Sequence, residues 1–305
     1  MTTEYTAVDS KGQPIVWPVT PYYRCGEPTI DLTTGIGYPK KAEDARRNPR
    51  VSLLFSDHTG SGLDSGIRVL VQGIAEVDDR DLKANRDRYQ EEYPHKVPRT
   101  REWFPPKPFH GLFGWYFERI YVKVRPERVF VWPDGDPAKE PEIHDSHVEE
   151  VRSGHSEEAA QEHPAGTGAT AAWDERIEEL GDRYRDAALA WVAPDGFPLS
   201  ARLPVSLDRG ARLVRIGTEP AGLPLLESRA SLTAHSHAPD YEWVRSFQVR
   251  GDLIRDEQGW ALAPRRLVGG MEMPDESMVA RYRRNMRKSI RLYFNRRRLL
   301  KERRD

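Results

Sequence analysis

Apolar positions in this chain come in short bursts separated by turn residues, a pattern that predicts many short strands and few helices. Residues 5–24 read as a hairpin: a strand over 5–8, turn chemistry at Asp9-Ser10-Lys11-Gly12, and a return strand over 15–20. Pro18 lacks a backbone donor and predicts an edge or bulge in that strand. Further strands are expected over 29–34, 51–56 and 67–77, and a last one or two over 122–132. A short helix over 39–48 opens on Pro39 and stops before Pro49, and a polar helix follows over 79–93. After residue 172 the pattern predicts a helix over 173–184. Strands follow over 187–192, 199–203, 213–217, 231–235, 246–254 and 259–262, again with a short helix between the third and fourth blocks.

The two halves repeat each other. The first carries Asp9-Ser10-Lys11-Gly12-Gln13-Pro14, then Arg50-Val51-Ser52-Leu53, then Val71-Gln72-Gly73. The second carries Pro194-Asp195-Gly196-Phe197-Pro198, then Arg229-Ala230-Ser231-Leu232, then Val249-Arg250-Gly251. Gly12 and Gly73 lie 61 residues apart, Gly196 and Gly251 55. Order and spacing point to two copies of one β-rich unit. They differ ahead of the Arg-x-Ser block: the first copy has Pro39-Lys40-Lys41, the second Ala221-Gly222-Leu223-Pro224 with no cation, which predicts one anion site per chain.

The 305 residues suit two domains. We delimit an N-terminal unit over 1–133, an acidic linker over 134–172, a second unit over 173–270 and a basic C-terminal helix over 271–305. Lys+Arg total 47 and Asp+Glu 48, so overall charge argues for no polyanionic partner. No run of 18 apolar residues and no basic-then-apolar leader occurs, so a cytoplasmic protein without membrane attachment is expected. Cys25 is the only cysteine, which excludes an intrachain disulfide and a cysteine metal cluster. His144, His147, His155 and His163 fall in the linker and read as solvated, not as metal ligands. Residues 281–305 hold twelve Lys/Arg against two acidic residues, with Met278, Tyr282, Met286, Ile290 and Tyr293 at helical spacing. The stripe favours a docked helix over a nucleic-acid arm.

The richest chemistry lies over residues 33–50. Thr33-Thr34-Gly35-Ile36-Gly37 ends a strand in small residues that let a ligand approach the backbone. A helix then begins with free N–H groups, the positive end of its dipole and Lys40-Lys41 in its first turn. Cations there are unfavourable for the helix itself, and an anion would reverse that cost.

This stretch resembles the pyridoxamine 5′-phosphate oxidase-like superfamily of flavin-binding split β-barrels. Lys41 keeps that family's interval to the proline of Asn48-Pro49-Arg50-Val51-Ser52-Leu53. Lys40 stands at the family's arginine, and Arg68, in Ile67-Arg68-Val69-Leu70-Val71-Gln72-Gly73, at its flavin-contacting glutamine. The resemblance covers 7–77 and recurs more faintly over 187–254. It implies a mainly β (α+β) chain of two tandem split barrels forming an internal pseudo-dimer, plus the C-terminal helix, with the cofactor in the groove between the barrels. It further implies that Lys40 and Lys41, with the backbone amides of Gly37, Tyr38 and Lys40, hold a phosphate. Thr33 and Thr34 would bond the phosphate or ribityl chain, Val19 and Thr20 would lie along the ring, and Arg68 would reach its pyrimidine edge. Trp243, Arg245 or Trp260 would come from the second barrel as a wall.

The function so implied is oxidoreduction with FMN, or with the deazaflavin F420 if Arg46, Arg47 and Arg50 form a basic rim for its acidic tail. NAD(P)H or reduced F420 would be the electron donor, and the substrate and any homodimer stay open. No Ser-His-Asp, HExxH, Walker or GxGxxG pattern competes, and Asp57-His58 reads as turn chemistry. The alternatives are a non-catalytic carrier of flavin, haem or tetrapyrrole and, more remotely, nucleic-acid binding through the C-terminal arm.

Overall fold

A computed structural model describes residues 2–63, 66–97, 117–145 and 173–273, together with Leu292, Phe294, Arg296, Arg297, Leu300 and Lys301. The first unit contains β1 (Thr3–Val8), β2 (Pro14–Val19), β3 (Tyr22–Tyr23), β4 (Ile30–Gly35), α1 (Lys40–Arg47), β5 (Arg50–Phe55), β6 (Arg68–Asp78), α2 (Leu82–Lys96), β7 (Arg119–Trp132) and β8 (Glu142–Asp145). The second contains β9 (Asp186–Val192), β10 (Pro198–Asp208), β11 (Leu213–Ile216), β12 (Ser228–His237), β13 (Val244–Asp256) and β14 (Gly259–Met273).

Strand order in the first sheet is β2-β1-β5-β6-β7-β4-β3, with β8 on the far half of β7, and the sheet stays open. The second unit is a closed barrel, β10-β11-β14-β13-β12-β9. Followed around the barrel in the other direction, β10-β9-β12-β13-β14-β11, its order matches β2-β1-β5-β6-β7-β4 strand for strand, counterparts being assigned in chain order with β3 and β8 set aside. Closure comes from β10 pairing with β11, Val205 opposite Ile216.

The shared glycine has a shared job. β6 carries a bulge between Gln72 and Gly73, with Gly73 opposite Pro126. β13 carries one between Arg250 and Gly251, with Gly251 opposite Pro264. Proline offers no ladder donor, so the strand bends there and the two backbones close up. A Cβ on Gly73 would stand 2.4 Å from the Arg125 carbonyl oxygen, and one on Gly251 2.1 Å from that of Ala263. Gly73→Ala and Gly251→Ala should therefore each cost about 1–3 kcal/mol by overpacking. Thermal unfolding followed by circular dichroism checks this, with Gly210→Ala as the control, since its nearest neighbour would be a side-chain oxygen at 3.6 Å.

The repeated Arg-x-Ser block holds the units together. Arg229 donates to the Lys11 carbonyl in the β1–β2 turn. Arg50, its counterpart, lies over the Phe197 ring in the β9–β10 turn, 5.7 Å from the centroid. Ser231 donates to the Pro14 carbonyl, and Gln72 to that of Pro198 at 3.1 Å. Thr233 Oγ1 bonds the Val16 carbonyl at 2.7 Å. Because the outer face of β5–β7 is covered, Leu54, Leu70, Phe130 and Trp132 join the second barrel's core around Trp191 and Leu189. Inward-pointing Tyr5, Leu32, Val51, Leu53 and Val122 form the first unit's own core, closed by Ala42 and Ala45 of α1. Burial on both faces explains why β5 shows no clean polar alternation.

Two expected helices take other forms. Residues 173–184 hold only a 3₁₀ turn at Ile177–Glu179. There Gly181, at φ 87°, turns the chain back so that Leu180 bridges to Tyr184. Between β11 and β12 there is a turn instead of a helix. It is covered by the segment after β7: Ala221 N donates to the Pro137 carbonyl at 2.9 Å. A Cβ on Gly222 would meet Glu140 Oε2 at 2.6 Å. β8 falls inside the presumed linker, and β14 runs past the expected end of its strand to Met273. His147, His155 and His163, like Met278, Tyr282, Met286, Ile290 and Tyr293, lie outside the described residues. Further on, Leu292 is buried, and Arg296 forks onto Glu118 at 2.7 and 2.6 Å.

Candidate functional site

The β4–α1 junction is built from its turn outward. Thr34 Oγ1 donates to the Tyr38 carbonyl at 2.6 Å, Tyr38 N to that of Gly35 at 2.8 Å, and Ile36 N to that of Glu118 at 2.9 Å. The first backbone bond of α1 runs from Glu43 N to the Pro39 carbonyl. Among the described residues no backbone carbonyl therefore takes the amides of Lys40, Lys41 or Ala42, and the helix presents its positive end.

The two lysines have different fates. Lys40 Nζ sits 2.8 and 2.7 Å from the two carboxylate oxygens of buried Asp44, one turn on, and Arg47 reaches the same group at 3.0 Å. Lys41 has no carboxylate within ion-pair distance among the described residues. Burial, and after it the charge of Arg119, lower its ammonium from the usual 10.5 to about 8. Arg119, at the start of β7, is itself buried against Tyr89: Nη2 lies 2.6 Å from the phenol oxygen, and the guanidinium 3.9 Å from the ring centroid. Tyr5 lies nearby in the core, its phenol pushed up by burial and then by the charge of Asp44. Lys41 and Arg119 thus bring two like charges close together near the start of α1, where a helix favours an anion.

The structure brings Thr34, Gly37, Lys40 and Lys41 together at this junction, with Thr33 half-buried beside it on β4. Val19, Thr20 and Arg68 lie at the other end of the sheet, where Val19 pairs with Thr3 and Arg68 with Trp132. Arg68 Nη1 donates to the Arg202 carbonyl of β10 at 2.9 Å, so this guanidinium is already engaged across the seam. Burial lowers its pKa, opposed chiefly by the charge of Asp186. The arginines considered for a basic rim are engaged too: Arg46 with Asp79, Arg47 with Asp44, and Arg50 with Phe197. Trp260 belongs to the second barrel's core, Trp243 is 40% exposed in the β12–β13 loop, and Arg245 is the second residue of β13.

A second polar centre, unmarked by any motif, lies in the seam. Glu4 Oε1, fully buried, accepts from Ser56 Oγ at 2.8 Å and Arg202 Nη2 at 2.5 Å, and lies 2.8 Å from His235 Nε2. Arg202 also donates to Ser56 Oγ at 2.8 Å and to Asp186 at 2.9 Å. Burial alone would raise the Glu4 carboxyl, but the charge of Arg202, with the His235 and Ser56 contacts, outweighs it and holds the group at about 2. Asp57 takes its turn role, accepting from Thr59 N at 3.0 Å, while its other oxygen lies 3.6 Å from both His235 Nδ1 and His237 Nε2. No cluster of His, Cys, Asp or Glu among the described residues has the form of a metal site. No helix among them is long and apolar enough to cross a membrane.

No family model and no curated protein matches the chain. Solved structures similar to it include a protein from Clostridium acetobutylicum related to general stress protein 26 (pyridoxinephosphate oxidase family). It is 11% identical, with a TM-score of 0.33, and the match covers 48% of this chain and 85% of that one. A FAD-binding protein from Mesorhizobium loti is 20% identical, with a TM-score of 0.30 over 43% of this chain and 85% of that one. An F420 reductase is 18% identical, with a TM-score of 0.30 over 42% of this chain and 88% of that one.

Proposed function

We propose that the chain is an FMN-dependent oxidoreductase in which two tandem split barrels form an internal pseudo-dimer and hold one cofactor per chain. The observation that carries this reading is Lys41: a desolvated ammonium beside Arg119, at a helix start, with neither a carboxylate for it nor a carbonyl for the first amides among the described residues. Burying such a cation is costly unless an anion joins it. A phosphate monoester meets that need, so these residues fit the FMN tail. Lys41, Arg119 and the first-turn amides would bind the phosphate, and Thr33, Thr34 and Gly37 would shape the approach. Lys40 would act through Asp44, holding α1 in place.

A bound flavin supplies the hydride-accepting ring, while the protein binds and orients it. FMN is favoured over F420 because Arg46, Arg47 and Arg50, the arginines considered for a basic rim, each already face a partner of their own. The second unit supports one site per chain: its equivalent turn has neither helix nor cation and is covered by Pro137, Glu140 and Pro141.

Titrating the purified chain with FMN and following the visible absorbance tests both parts. The expected result is saturation at one FMN per chain and bleaching by NAD(P)H or reduced F420. Absence of flavin binding sinks the reading, saturation at two removes the single-site part, and a bound flavin that no donor bleaches points to a carrier.

A further inference from the structure

We propose that Arg296 is a positioning residue for the anion site: through Glu118 it latches the C-terminal segment onto the strand that carries Arg119 and onto the β4–α1 turn. The inference rests on the FMN reading for the identity of the anion, whereas the latch itself is a property of the chain alone.

The described residues of that segment are helical and two-faced. Leu292, Arg296 and Leu300 recur at every fourth position and are buried or half-buried, whereas Phe294, Arg297 and Lys301 are exposed. Arg296 supplies the polar contact of the inward face. Its Nε and Nη2 donate to the two oxygens of the Glu118 carboxylate at 2.7 and 2.6 Å. Only 20% of the one side chain and 13% of the other stay exposed in this fork. Two parallel charge-assisted bonds fix direction as well as distance.

Glu118 also acts through its backbone. Its carbonyl accepts from Ile36 N at 2.9 Å, in the turn between β4 and α1. The next residue is Arg119, which pairs with Gly35 across the β4–β7 ladder. Arg119 is held in turn by α2: Asn85 Nδ2 donates to its carbonyl at 3.2 Å, and its guanidinium lies on the Tyr89 ring. The backbone at 118–119 is thus fixed by α2 and by the Arg296 fork, and it holds both the turn that leads into Lys41 and Arg119 itself. Loss of the fork frees Glu118 to move, and the Ile36 bond and the Arg119 side chain move with it. It also leaves an unmatched carboxylate one residue from Arg119, which is unfavourable beside an anion. Docking of the C-terminal face and anion binding at α1 are therefore coupled, and the coupling is reciprocal.

Hydrogen exchange read by mass spectrometry on the full-length chain tests the latch without any cofactor. Arg296→Ala should speed exchange over residues 35–42 about tenfold and leave β9 of the second barrel unchanged. Wild-type exchange over 35–42 overturns the latch, and so does acceleration in both regions, which would mean general destabilisation. FMN and riboflavin titrations give the second readout. Arg296→Ala should weaken FMN about tenfold and riboflavin less than about twofold. Exchanging the charges, Arg296→Glu with Glu118→Arg, should recover the FMN binding lost in Arg296→Glu alone. Equal losses for both ligands, or no recovery, overturn the positioning role. In the wild type, FMN should slow exchange over residues 292–301, and unchanged exchange there denies the coupling. If the wild type binds no flavin, the FMN reading falls while the exchange of the cofactor-free chain still decides the latch.

Discussion

Replacing Glu4 by alanine should lower the unfolding midpoint by roughly 10 °C. Removing one partner of a buried ion pair costs about 3–5 kcal/mol, since the other charge stays buried and unmatched. In a chain of this size each kcal/mol moves the midpoint by about 2–4 °C. Arg202→Met should cost a similar amount, because it strips Glu4 of its principal charge partner. The double variant Glu4→Met with Arg202→Met removes both charges together and should cost clearly less than the two singles combined. Strictly additive losses, or a Glu4→Ala cost below about 1 kcal/mol, would show that the pair is not coupled as drawn. The pH dependence has a definite sign. Glu4 has its folded-state carboxyl at about 2 against 4.5 in the unfolded chain, so its contribution is complete above 4.5 and is lost as pH falls from 4.5 toward 2. Glu4→Gln should flatten acid unfolding in that window. His237, whose pKa is lowered chiefly by burial, adds a loss that sets in as pH falls below 6.5.

What could be read along the chain is what local chemistry writes there. The turn glycines, the Arg-x-Ser blocks and the Gly73 and Gly251 positions each do a backbone job at a fixed place in a strand, so the residues announce it. The Lys40–Asp44 pair was equally visible as an i,i+4 spacing, and it separates the two lysines that the motif treats alike. Other features depend on distance in the fold. Glu4 and Arg202 lie 198 residues apart, and a glutamate in Thr3-Glu4-Tyr5 reads as a strand's solvent edge until a second unit covers it. Arg119 sits next to a stretch with no repeat in the other half, so nothing marked it as a neighbour of Lys41. Asp79, which takes Arg46, belongs to the β6–α2 connection and has no motif. Closure of the second barrel through β10 and β11 rests on a four-residue pairing with no sequence signature.

Lys41→Met should weaken FMN binding about 10- to 100-fold, the loss expected when one charge-assisted bond to a buried phosphate is removed. Methionine keeps the volume and the apolar stem, so the helix start need not collapse. Lys40→Ala should change affinity less than about threefold, because its ammonium is exposed and already held by Asp44. Riboflavin, which lacks the phosphate, separates electrostatics from damage to the groove: Lys41→Met should bind it as the wild type does. The pH profile gives a further discriminator. The Lys41 ammonium, lowered to about 8, loses its proton as pH rises through that value, whereas a phosphate monoester stays doubly ionised there. Wild-type FMN affinity should therefore fall above pH 8 with proton uptake on binding, while Lys41→Met shows a flat profile. Fluorescence titration of FMN and riboflavin between pH 7 and 9.5 measures all three. Equal losses for both ligands, or an effect of Lys40→Ala as large as that of Lys41→Met, would remove the phosphate from this helix start.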